Sequence, residues 1–154
     1  MKKLNFVLIA VVLTSAIAFT TSCSKKKGCT DSTSTNYDAD AKEDDGSCTY
    51  EGKLVFWWNK PFADSCAAYS VTAVKVYVDN VFKGTLAVSS QFWPSTPGCG
   101  ANSTVTITSD LGTSKTKNIS VAYTVTVDGV ESEKVGTETI TLEANTCLSY
   151  ELTY

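Results

Sequence analysis

Six cysteines, a run of aspartates and three tryptophans are the side chains of this 154-residue chain whose spacing could support chemistry. The cysteines are Cys23, Cys29, Cys48, Cys66, Cys99 and Cys147, and no two form a Cys-x-x-Cys pair. That spacing argues against zinc and thiol-redox motifs and, in an exported chain, for disulfides. No histidine or arginine occurs, which removes the commonest general base and transition-metal ligand. Asp38, Asp40, Asp44 and Asp45 have the oxygen-rich character that calcium prefers. Asp38-x-Asp40 opens like an EF-hand, but neither Asp-Gly nor a closing Glu falls in register. The competing reading is a set of solvated turn residues. Glu131, Glu133, Glu138 and Glu143 resemble a glycosidase carboxylate set only in composition. They flank a hairpin, where charge commonly protects sheet edges, and no catalytic residue is expected.

Adjacent Trp57 and Trp58 should point to opposite faces of a strand, one inward and one outward. With Trp93 in the Phe92-Trp93-Pro94 segment, the outward ring could form a platform for stacking on a glycan. Alternatively, the loop around Trp93 folds over it as a satellite cluster.

The first 23 residues specify a compartment. Met1-Lys2-Lys3 is a positive start, Phe6 to Phe19 an apolar run, and Thr20-Thr21-Ser22 a set of small side chains before Cys23. This is the layout of a cleavable export signal, too short for a membrane span. It resembles the lipobox cut by signal peptidase II, with Thr20 in place of the usual Leu. The resemblance implies acylation of Cys23 and attachment to a lipid bilayer in the cell envelope, with the outer membrane the expected station. Three acyl chains at about 0.8 kcal/mol per buried methylene would hold effectively permanently. Lys25, Lys26 and Lys27 follow, each able to add about 1 kcal/mol beside an anionic surface. Surface-exposed lipoproteins of the Bacteroidota often carry acidic residues here, so the face that presents the domain stays open. Eleven lysines against sixteen carboxylates leave residues 23–154 at −5, which disfavours a nucleic-acid partner.

Residues 28–50 contain Cys29-Thr30-Asp31, Asn36-Tyr37-Asp38, Ala41 and Asp44-Asp45-Gly46-Ser47-Cys48. They resemble the CTDxxxxNYDxxAxxDDGSC module of Bacteroidota envelope and secreted proteins, with Ser32 where proline is frequent. The resemblance implies lineage and compartment rather than a reaction. The segment has too little apolar surface for a core of its own, and a Cys29–Cys48 disulfide would staple it. About 20 residues closed in this way correspond to about 3 kcal/mol of unfolded-chain restriction.

From residue 51 the apolar period is two. Val74, Val76 and Val78 alternate with Lys75, Tyr77 and Asp79, the pattern of a half-buried strand. Asp79-Asn80 and Asp128-Gly129 are two-residue hairpin signals. The spacing predicts an all-β fold: a single antiparallel sandwich of about seven strands, with helix minor. The Val-Tyr-Val-Asp-Asn-Val-Phe-Lys-Gly-Thr-Leu stretch is similar to the opening hairpin of PEGA and carboxypeptidase-regulatory-type domains. An immunoglobulin or fibronectin-like sandwich is the near alternative. Three pairings of Cys66, Cys99 and Cys147 are open, and antiparallel first and last strands would bring Cys66 to Cys147. The organisation expected is a signal at 1–22, a lipidated basic tether at 23–27, an acidic module at 28–50 and a sandwich at 51–154. The function expected is a non-enzymatic, structural or adhesive envelope lipoprotein with a glycan or protein ligand. The alternatives are tryptophan-based glycan binding and calcium-dependent adhesion.

Overall fold

The computed structural model describes residues 25–88 and 92–153; the signal segment and Cys23 lie outside them. Among the described residues the fold is all-β with one short helix. Strands β3 (Tyr50–Trp57), β6 (Val105–Gly112) and β10 (Cys147–Glu151) form one sheet in the order β10-β3-β6. Strands β4 (Val71–Val78), β5 (Val81–Ala87), β7 (Thr116–Val127), β8 (Val130–Glu131) and β9 (Val135–Glu143) form the other. There β7 is central, with β4 then β5 on one side and β8 and β9 on the other. Leu54 and Phe56 from the first sheet meet Val74, Val76, Ile119, Val121 and Leu142 from the second in one buried cluster. These positions follow the two-residue alternation, so each strand turns its apolar face to the opposite sheet.

Both expected hairpin turns form. Asp79 and Asn80 take φ of 49° and 64°, and Asp128 and Gly129 take 50° and 80°. Two left-handed residues in succession define the tight turn whose twist matches antiparallel strands. Val78 accordingly pairs with Val81, and Val127 with Val130.

The sheets are antiparallel except that β10 runs parallel to β3, with Cys147 opposite Lys53 and Glu151 opposite Trp57. This overturns the expected Cys66–Cys147 bridge. Cys66 lies in helix α1 (Lys60–Ala68), which follows the far end of β3. Cys147 starts β10 four residues back along β3, about 13 Å away at strand rise. Cys147 is instead bonded to Cys99, and Cys66 is a buried free thiol. Helix α1 escaped the period-based reading because its nine residues bury only Phe62, Ala63 and Cys66. Its signal was local: the Asn59 side chain caps the Phe62 N–H at 3.0 Å, and Pro61 sits in the first turn.

Candidate functional site

The acidic segment is closed by a disulfide and tied to the sandwich by an ion pair and hydrogen bonds. Cys29 and Cys48 are bonded to each other, and both are buried in the sandwich's own core cluster beside Tyr50. The module thus borrows the core that its composition denies it. Its docking centres on Asp31. One carboxylate oxygen accepts from Lys115 Nζ at 2.6 Å and from the Tyr50 hydroxyl at 2.9 Å. The other accepts from the Thr33 amide and hydroxyl at 2.9 and 2.8 Å. The Lys115 ammonium first, then the Thr33 and Tyr50 donors, hold the Asp31 carboxyl well below the usual carboxylate range. Asn145, in the β9–β10 turn, donates to the Thr33 carbonyl at 2.7 Å.

On the other side, the module grips the chain that enters it. Lys27–Gly28 (β1) pairs in parallel with Glu43–Asp44 (β2), and Lys42 N–H donates to the Lys26 carbonyl at 2.8 Å. Lys26 Nζ lies 2.8 Å from Asp38 and 3.6 Å from Asp40, and Lys27 lies 3.3 Å from Glu43. Two of the three tether lysines therefore meet protein carboxylates.

This arrangement also decides where the four aspartates point. Asp38 and Asp40 turn to Lys26, while Asp44 and Asp45 cap the Gly46 and Ser47 amides at 2.8 and 3.0 Å. Among the described residues, no three Asp, Glu, Cys or His side chains are grouped to hold a metal. The four carboxylates behave as turn caps and ion-pair partners.

Of the two readings of the tryptophans, an open platform or a covered cluster, the burial fits the second: Trp57 and Trp58 are 7% and 2% accessible. Trp58 packs in the core cluster, 5.7 Å from the rings of both Phe62 and Trp93. Trp57 and Val55 do turn outward, as strand alternation requires, but a loop covers them. Thr106 and Ser149 flank Val55 in register, and their hydroxyls meet Gly100 N–H at 2.9 Å and the Pro97 carbonyl at 2.8 Å. The Cys99–Cys147 disulfide pins the same loop. Half-buried Trp93 belongs to this covering segment, its amide donating to the Trp58 carbonyl at 3.1 Å. Trp57 Nε1 is buried without a hydrogen-bond partner among the described residues. The cover therefore seals over an indole and does not present one.

The outward face of the larger sheet carries a separate polar network that the sequence reading missed. Glu131 accepts from Lys75, from the Tyr77 hydroxyl at 2.6 Å and from the Thr124 hydroxyl at 2.7 Å. Lys75 first, then the two hydroxyls, lower its carboxyl to about 2. Lys134 lies 4.7 Å from the centre of the Tyr77 ring, which packs edge-to-face with half-exposed Phe82. Glu131 stood among the hairpin glutamates in the sequence, but only strand pairing reveals that Lys75 and Tyr77 are its neighbours.

No known family model, curated protein or solved structure matches this chain.

Proposed function

We propose that this chain is a non-enzymatic envelope lipoprotein of Bacteroidota type, acylated at Cys23 and anchored in the outer membrane. The observation that carries this reading is the order of Met1–Lys3, the Phe6–Phe19 apolar run, three small residues and then Cys23. The module motif from Cys29 to Cys48 supports the same compartment, because an oxidising envelope sustains its disulfide. The role is structural or adhesive. The surface displayed is the outward face of β4, β5, β7 and β8, where Tyr77, Phe82 and Lys134 put aromatic and cationic groups around the Glu131 carboxylate. Expression of the full chain in a host with a lipoprotein-processing pathway tests the reading. Intact mass should show loss of residues 1–22 and a gain of acyl chains. Cys23→Ala should remove the protein from the membrane fraction. A leader-free, unacylated product in the medium would overturn the proposal.

A further inference from the structure

Among the described residues, tied backbone lies close in sequence to the anchoring position. Backbone pairing starts at the Lys26 carbonyl and continues through β1. Two ion pairs from Lys26, one from Lys27 and the Cys29–Cys48 disulfide tie this entry strand to the module. Asp31–Lys115 and Asn145–Thr33 then tie the module to the sandwich. Two residues, Ser24 and Lys25, separate position 23 from the first tied residue.

We propose that the stapled module is a collar that seats the sandwich directly on the lipid surface, with no flexible stalk between them. This rests on the acylation of Cys23. Three residue steps from Cys23 to Lys26 span at most about 11 Å at full extension, so the body can stand off the headgroups by little more than the spacing between two packed sheets, about 10 Å. The partner is the bilayer itself, and the stance is set by chain length. Anionic lipid should matter little, because Lys26 and Lys27 already face Asp38, Asp40 and Glu43 within the protein. The collar also fixes which surfaces can meet partners: a seated sandwich engages molecules at the membrane plane and does not reach distant ones.

Neutron reflectometry of the acylated full chain on a supported bilayer measures the water gap beneath the protein layer. The wild-type gap should be about 11 Å or less and the same with and without anionic lipid. Inserting ten Gly/Ser residues between Ser24 and Lys25 should widen it by about 17 Å, the mean span of a flexible ten-residue chain. Replacing Lys26 and Lys27 with Gln should loosen the entry strand back to Cys29, doubling the reach to about 20 Å while the disulfide persists. A wild-type gap equal to that of the insertion variant overturns the collar while leaving acylation intact. A gap that shrinks as anionic lipid is added overturns it as well, since free lysines would then set the stance. Intact mass on the same sample separates the two ideas: protein that lacks acyl chains and forms no layer overturns the anchor and the collar together.

Discussion

Breaking the Cys99–Cys147 disulfide should be the most damaging single loss of a covalent constraint. Its sequence separation is 48, against 19 for Cys29–Cys48. In the chain-entropy model these closures correspond to about 4 and about 3 kcal/mol. The longer bridge has a second effect, because it holds the loop that covers Val55 and Trp57, and freeing the loop lets water reach both. A ΔΔG of about 4 kcal/mol is a large fraction of the 5–15 kcal/mol that ordinarily separates folded from unfolded domains. For about 130 residues it lowers Tm by on the order of 15 °C. The assay is urea unfolding of Cys99→Ser/Cys147→Ser, followed by tryptophan fluorescence and far-UV circular dichroism. The native baseline should shift to the red as Trp57 becomes wet, while β-sheet content is retained at low denaturant. The Cys29→Ser/Cys48→Ser variant should lose about 3 kcal/mol without that emission shift, since its bridge lies away from the covering loop. A loss below about 1 kcal/mol for the Cys99/Cys147 variant, with emission unchanged, would refute the reasoning. The loop would then be held by its hydrogen bonds to Ser149 and Thr106 alone.

Gly136 has φ of 62°, and an added Cβ would collide with Tyr123 Cε1 and sit 3.0 Å from its Cδ1. Gly136→Ala should therefore cost about 2 kcal/mol or more by thermal unfolding, from left-handed strain plus overpacking. Gly112→Ala, at φ 66° with open space around it, should cost only the strain, about 1 kcal/mol, and equal losses would discredit the packing argument. The free thiol of Cys66 is buried, and burial pushes its pKa up. In a Cys23→Ala chain, thiol titration should find none reactive in the native protein and one after unfolding without reductant; two or more would contradict the disulfide assignment. The Asp31 and Glu131 carboxyls both titrate below their ordinary values. A carboxyl lowered in the folded state binds its proton more readily when unfolded, so its stabilisation is present above about pH 4 and is lost as pH falls. For Glu131 the loss runs from about pH 4.5 to about 2. Glu131→Gln should flatten the acid limb of the stability–pH curve in that window, and an unchanged limb would mean the network on the sheet face contributes nothing.

What the sequence made legible depended on the range of each interaction. Val74, Val76 and Val78 announced their strand because burial alternates with a period of two, a property of neighbouring residues. The turns at Asp79-Asn80 and Asp128-Gly129 were equally readable, since left-handed φ is a local demand on residue type. Cys29 and Cys48 lie close in sequence and bracket a segment with little apolar surface, so their pairing also followed. Cys99 and Cys147 did not, because their meeting depends on β10 joining β3 in parallel, a relation between the two ends of the fold. The same distance effect hid the covering loop. Strand alternation turns Trp57 away from the core, yet it is buried, since the loop from Trp93 to Gly100 runs along that end of the sheet, bonded to Trp58, Ser149 and Thr106. Adjacent tryptophans on a strand therefore do not by themselves define an open platform.

The tether lysines show the same principle from the side of electrostatics. Read alone, Lys25-Lys26-Lys27 is a basic run suited to an anionic bilayer. In the fold, Asp38, Asp40 and Glu43 return to Lys26 and Lys27 through β1–β2 pairing and Lys42 N–H donation to the Lys26 carbonyl. An exposed ion pair by itself is worth little, commonly less than 1 kcal/mol. The closure here is held instead by a disulfide, a short strand pair and burial of both cysteines in the sandwich core. Residues 26–28 lie outside that staple, so there the ion pairs add to the two-residue β1–β2 pairing that holds the entry strand. Lys26→Gln alone should therefore change global stability only slightly, and its main effect should be on the freedom of residues 24–28. Amide exchange checks this directly: the Lys42 N–H should lose protection in Lys26→Gln while the β4 and β7 amides keep theirs. Loss of protection across all three would mean the module and sandwich unfold as one unit whose stability depends on that surface charge.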